Sequence, residues 1–156
     1  MSLGIFVRGA VMAALLALGG CGGPPPPPPP TIVNVAITAG PDVNPDGAGH
    51  PSPVLVRIYQ LAGDGAFKNG DFFQIYGKED SSLGKDLVAK DDVMMVPGST
   101  QTVTIPAKPD TKMLGVLVAF RDIDKATWRQ EAPVPPNKTT NVTLAISGLD
   151  AKLSPP

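Results

Sequence analysis

An antiparallel β-sandwich with a small helical insertion is the fold this sequence predicts, mostly β and built from about seven or eight short strands. Two observations carry the prediction. Short segments repeat apolar, often β-branched residues with period two, and clusters of Gly, Pro, Asn and Asp separate them. One stretch, residues 64–83, breaks that rhythm, because its aromatic residues fall near helical spacing.

Before the first strand comes a targeting segment. Arg8 and the apolar residues 10–18 have the layout of an export signal, and it ends in Leu18-Gly19-Gly20-Cys21, a lipobox. The apolar run is shorter than the roughly 20 residues of a membrane span. Cys21 is the only cysteine, so it has no partner within the chain for a disulfide. Cleavage before it, with acylation of the thiol and the new amino group, leaves three acyl chains at the mature N-terminus. One chain alone holds a protein only marginally, at roughly 0.8 kcal/mol per buried CH₂, whereas three hold it durably. Gly22 follows Cys21, where an aspartate would signal retention in the inner membrane, so the expected location is the periplasmic face of the outer membrane.

The organisation follows: a lipoprotein signal peptide over residues 1–20, a lipidated cysteine and polyproline spacer over 21–30, and a β-sandwich domain over 31–153. Seven consecutive prolines, from Pro24 to Pro30, favour a stiff polyproline helix, which spaces the domain about 20 Å from the anchor. The mature chain has 136 residues, enough for one domain that folds without disulfides or metal. It carries 12 basic against 14 acidic residues, so its net charge offers no overall basic field for nucleic acid or an anionic surface.

The first strand spans residues 32–38, where Val33, Val35 and Ile37 alternate with smaller or polar residues. Residues 54–61 form a second strand that is apolar on both faces and therefore central in its sheet. Short helical turns follow, with Asp64, Asp71 and Asp80 as candidate N-caps and Phe67, Phe72, Phe73 and Tyr76 covering the sheet. Residues 87–96 form a strand ending in Pro97-Gly98, the chemistry of a type II turn, across which residues 101–105 are expected to pair back. The continuous apolar run 113–120 reads as the most buried strand. A short edge strand is expected at 127–131, with Pro133, Pro135 and Pro136 forbidding regular pairing beyond it. Residues 139–146, with Val142, Leu144 and Ile146 inward, close the sheet.

No catalytic set is visible. His50 is the only histidine and lies in a Gly/Pro-rich loop. Asp91 and Asp92 are consecutive on a strand and so point to opposite faces, while Asp122 and Asp124 fit turn chemistry or an ion pair with Arg121. Asp42-Val43-Asn44-Pro45-Asp46-Gly47 matches the opening of a calcium loop, but the position that needs a bidentate glutamate is Pro53 and the flanks read as strands. Asx turns explain the segment instead. No metal, cofactor, nucleic acid or small-molecule substrate is expected. The loop 40–53 is far longer than a hairpin connection of 2–5 residues, and loops of such length are usually functional.

Taken together, the lipobox, Asp42-Val-Asn-Pro-Asp-Gly-Ala-Gly49, Ser-Pro-Val-Leu-Val-Arg-Ile-Tyr-Gln-Leu61, Asp71-Phe-Phe-Gln-Ile-Tyr76, Pro97-Gly98 and Gly115-Val-Leu-Val-Ala-Phe-Arg-Asp-Ile-Asp124 with Trp128 resemble the outer-membrane lipoprotein family of type VI secretion, TssJ (SciN/VasD). The resemblance covers nearly the whole mature chain. It implies a transthyretin-like sandwich without enzymatic activity, which binds the periplasmic C-terminal region of TssM and, through TssM, is linked to TssL. It further implies that the loop between the first two strands makes that contact, which here places partner binding at Asp42, Asn44, Pro45, Asp46, Gly47 and Gly49. The alternative is a periplasmic ligand-binding or chaperone-like lipoprotein, which exposure of the aromatic cluster would favour.

Overall fold

Alternation along Val33, Val35 and Ile37 puts three β-branched side chains on one face of a strand, and they are almost wholly buried. The same logic repeats through the computed structural model, which describes residues 23–155. Its elements run β1 (Ile32–Ala39), β2 (Val54–Leu61), α1 (Gly65–Asn69), α2 (Phe72–Gly77), α3 (Glu79–Leu83), a 3-10 turn (Gly84–Asp86), β3 (Leu87–Met95), β4 (Thr100–Pro106), β5 (Met113–Ala119), β6 (Arg129–Pro133), β7 (Thr139–Ser147) and β8 (Asp150–Ser154). Residues 23–30 ahead of β1 have no regular secondary structure and are exposed. The signal peptide and Cys21 lie outside the described residues.

Two four-stranded sheets face each other, in the orders β4-β1-β7-β8 and β3-β2-β5-β6. Their ladders are antiparallel except β1 with β7, which run parallel with Val35 opposite Val142. Strands so distant in sequence are free of hairpin geometry, so a parallel pairing costs no tight turn. Between the sheets lie Val33, Val35 and Ile37 of β1, Val54, Val56 and Ile58 of β2, Leu114, Val116 and Val118 of β5, and Val142, Leu144 and Ile146 of β7. Each such side chain contributes about 1.5–3 kcal/mol on burial.

β2 is internal and apolar on both faces because a second core lies behind it. Tyr59, Leu61 and Leu117 meet Phe67, Phe72, Ile75 and Leu83 from the short helices. The Phe67 ring sits 5.6 Å from that of Tyr59, directly over Gly115. A Cβ at Gly115 would lie 2.9 Å from Leu61 Cδ1 and 3.1 Å from the Phe67 ring. Gly115→Ala is therefore expected to lower stability by about 1–2 kcal/mol through overpacking, read as a shifted urea midpoint. An unchanged midpoint would show that the insertion moves freely.

Polar ties fix the insertion on the sheet. Arg57 Nε and Nη2 donate to Asp92 at 2.7 and 2.8 Å, and its Nη1 donates to Glu79 at 2.7 Å. Arg129 Nη1 donates to the carbonyls of Phe67 and Gly70. The Arg57 hydrogen bonds hold the Asp92 carboxyl below the usual carboxylate range. A depressed folded pKa contributes stability that is present above the unfolded value, near 3.9, and is lost as pH falls through the folded one. The urea midpoint is accordingly expected to drop below about pH 4, and less so in Asp92→Asn. Equal acid sensitivity in both proteins would remove Asp92 as a cause.

Several elements differ from the sequence expectation. β4 does not pair back on β3; it joins β1 in the opposite sheet, Thr38 facing Thr100. The turn itself is as expected, with Gly98 at φ +75° and the Ser99 N–H donating to the Val96 carbonyl. Hairpins favour the mirror-image turns I′ and II′, whereas a type II turn splays its strands, and here it carries the chain between sheets. The edge strand begins later than expected and includes Pro133, opposite Met113, which an edge position tolerates. β7 does not close its sheet, because β8 pairs outside it. Asp71 caps α2 through Gln74 N at 3.0 Å, but Asp64 makes no cap bond from its side chain and Asp80 lies inside α3.

Candidate functional site: a braced loop at one end of the sandwich

Loop 40–53 connects the end of β1 to the start of β2, so the chain enters the sandwich at Thr31 on the opposite end. Eight residues of β1 separate the two ends by about 23 Å. At the entry end Thr31 is held by the backbone of Ala107 and Asn137. At the loop end three neighbouring turns gather around residues 40–53.

Asn44 organises that gathering. It is 2% exposed and has φ +51°, a conformation that asparagine tolerates better than most residues. Its Nδ2 donates to the Pro53 carbonyl at 2.8 Å, closing the loop across its own base. Its Oδ1 accepts from the Arg121 N–H at 2.8 Å, and its own N–H donates to the Gly148 carbonyl at 2.7 Å. One residue thereby joins the loop to the β5–β6 and β7–β8 connections. Val43 beside it is fully buried, and Asp42 accepts from Ser147 Oγ at 3.1 Å. A Cβ at Gly40 would lie 2.6 Å from Asp42 Oδ1, so glycine permits that close approach.

The outer half of the loop is a small rigid crest. Asp46 Oδ1 accepts from the N–H groups of Ala48 and His50, both at 2.9 Å, and the Gly49 N–H donates to the Asp46 carbonyl. The Asp46 carboxyl lies below its ordinary range, chiefly because of the His50 N–H. Gly49 holds φ +86°, and Gly47, Ala48, Gly49 and His50 are exposed. Asp46 and Pro45 are half-buried at the base of the crest.

The six loop residues named from sequence thus divide into two groups: Asp42 and Asn44 are spent on bracing, while Pro45, Asp46, Gly47 and Gly49 form or support the outward surface. Sequence reasoning did not identify the bracing partners Ser147 and Gly148, although a Ser-Gly dipeptide is a turn signal. Of the two readings of Asp122 and Asp124, the turn is present at residues 123–125, and the ion pair that Asp122 makes is with Lys125, at 3.0 Å, and not with Arg121. One turn of spacing brings Lys125 back over Asp122, while the backbone of Arg121 is held by Asn44.

Chemically the arrangement is suited to contact. The side chains of the Asp-x-Asn-x-Asp segment are engaged in separate hydrogen bonds, and among the described residues no three His, Cys, Asp or Glu side chains gather as a metal site. His50 is exposed and lies 3.3 Å from Asp46. Asp91 and Asp92 diverge as expected, Asp92 to Arg57 and Asp91 to solvent. Of the aromatic cluster, Phe67 and Phe72 are core and Phe73 is exposed.

Residues 31–149 match the family described as type VI secretion lipoprotein, VasD, EvfM, TssJ. Comparison with curated proteins gives no match. Among solved structures, the chain is 34% identical to the type VI secretion lipoprotein TssJ1 from Pseudomonas aeruginosa, covering 82% of this chain and 98% of that one with a TM-score of 0.79. A chain from a structure described as a type VI membrane complex is 28% identical over 80% of this chain and 98% of its own, with a TM-score of 0.72. A chain from a structure of the TssM C-terminal domain (869–1107) from EAEC is 28% identical over 81% of this chain and 99% of its own, with a TM-score of 0.67.

Proposed function

This chain belongs to the family of type VI secretion lipoproteins, and from that premise we propose that it anchors the secretion membrane complex to the outer membrane by docking the periplasmic C-terminal domain of TssM. In this reading Cys21, freed from a signal peptide over residues 1–20, carries the lipid, and residues 21–30 space the domain from the bilayer. The crest of loop 40–53, with Pro45, Asp46, Gly47 and Gly49, makes the contact. Asp42 and Asn44 hold the crest in place. TssL is reached indirectly, through TssM. The protein acts by position and contact and has no catalytic role.

The observation that carries the proposal is the placement of a pre-braced, exposed crest at the end of the sandwich opposite the one at which the chain enters, at Thr31. A tethered domain so built points its loop away from the membrane, toward an inner-membrane partner, at raised effective concentration. The likeness to a chain of the structure described as the TssM C-terminal domain, and to one of a type VI membrane complex, supports a place beside that domain. Burial of Phe67 and Phe72 weighs against the ligand-binding alternative.

The test is co-isolation of TssM with the full chain from detergent-extracted envelopes. A second sample carries glycine and serine in place of residues 45–49, leaving Asp42 and Asn44 intact, with its fold checked by circular dichroism. The parent is expected to bring TssM down and the variant to lose it. Retention by the folded variant would remove the crest as the site, and failure of the parent would remove the docking role itself.

A further inference from the structure

The crest is too small to be the whole contact. Gly47, Ala48 and Gly49 offer little side-chain surface, whereas a stable interface covers roughly 800 Å² on each partner and takes its affinity from buried anchors, with aromatic residues, Met and Arg enriched. Large apolar side chains exposed among the described residues are Phe73, Met94 and Val96, at 71%, 55% and 50%. Phe73 belongs to the helical insertion. Met94 and Val96 lie at the end of β3, at the same end of the sandwich as loop 40–53.

That adjacency is fixed by hydrogen bonds and register. Val96 opens the Pro97-Gly98 turn, and the Gly98 N–H donates to the carbonyl of Gly40, the first residue of the loop. On the other side Met94 is opposite Leu55, and Met95 opposite Val54, immediately after Pro53, the last residue of the loop. Met95 points into the core, so Met94 points out. The outward face there continues from Met94 through half-buried Leu55 to half-buried Ala119 across β5. The short helices, which cover Tyr59, Leu61 and Leu117, do not bury Met94.

At this end of the sandwich the charges of the gathered loops are mainly acidic. Asp42, Asp46, Asp122, Asp124 and Asp150 lie in or beside the gathered loops, against Arg121 and Lys125, and Lys125 is paired with Asp122. A second copy docking by the same end would bring like charges together, whereas a basic partner would be drawn in.

We propose that the docking surface extends from the crest of loop 40–53 onto Met94 and Val96, and that it receives an apolar projection of the TssM periplasmic domain fringed by basic side chains. The inference rests on the docking role argued above and adds to it the residues that supply apolar anchoring and the chemistry of the surface they meet.

The experiment is a titration of the full chain, in detergent, with the TssM periplasmic domain, using the parent, the crest replacement and Met94→Ser/Val96→Ser. Both serine sites are exposed, so circular dichroism and the unfolding midpoint are expected to match the parent. The expected result is affinity weakened tenfold or more by the serine pair, with parent binding that weakens as salt is raised. Parent-like affinity of the serine pair, while the crest replacement fails to bind, would overturn the extension and leave the docking role standing. No binding by the parent would overturn both. Self-association of the parent that the serine pair abolishes, with TssM affinity unchanged, would assign the strip to a second copy and overturn the proposal. Salt-independent binding would overturn the basic fringe.

Discussion

Asn44→Ala is expected to lower stability by about 3–8 kcal/mol, because it leaves the Pro53 carbonyl and the Arg121 N–H without their partner at roughly 1–3 kcal/mol each and forces alanine into a left-handed conformation at a further 1–2 kcal/mol. A domain of this size has only about 5–15 kcal/mol in hand, so the loss is large. Asn44→Gly separates the causes. Glycine accepts φ +51° without strain but restores neither hydrogen bond, so it should recover about 1 kcal/mol and no more. Urea unfolding of the three proteins reads this directly. If alanine and glycine are both parent-like, Asn44 is not the brace. Partner binding should fall in both variants even where they remain folded, since the crest loses its fixed angle.

Cys21→Ser is the second large effect, and it acts on location. In the proposed reading Cys21 carries three acyl chains whose buried methylenes contribute about 0.8 kcal/mol each, so removing their attachment site would eliminate the anchor. Palmitate incorporation is expected to disappear, and the chain should leave the outer-membrane band of a density gradient. The purified domain should keep its unfolding midpoint, because β1 begins only at Ile32. Unchanged palmitate labelling and buoyant density would contradict the assignment of Cys21 as the lipid site.

The parts of this architecture that follow from side-chain period were legible in the sequence. In β1, β2, β5 and β7 most inward positions are β-branched or leucine, and those residues are the core. The double-sided character of β2 was read as a central position, and β2 lies between β3 and β5. What period cannot say is which sheet a strand joins. The β3 to β4 connection looked like a hairpin because two strand signals flank a tight turn, and only the type of that turn argued otherwise. β8 was missed because Asp150-Ala151-Lys152-Leu153-Ser154 places just two apolar side chains inward, too faint an alternation beside a Ser-Gly turn.

The site was legible in outline for a different reason. A 14-residue connection rich in Asp, Asn, Pro and Gly stands out by its length, and its Asx chemistry was readable. The inward turn of Asn44 was not. Its partners are a carbonyl nine residues on, an amide 77 residues away and the Gly148 carbonyl, which no local pattern encodes. Met94 and Val96 were similarly hidden, because Val93-Met94-Met95-Val96 is a continuous apolar run that does not tell a covered face from an open one.

Amide hydrogen exchange of the full chain, with and without the TssM periplasmic domain, tests the docking account most directly. Binding is expected to slow exchange across residues 45–50 and around the turn at residues 96–99, while the entry end around Thr31 and Lys138 stays unchanged. Protection confined to the entry end or to the open face of the β4-β1-β7-β8 sheet, with residues 45–50 unaltered, would contradict the account.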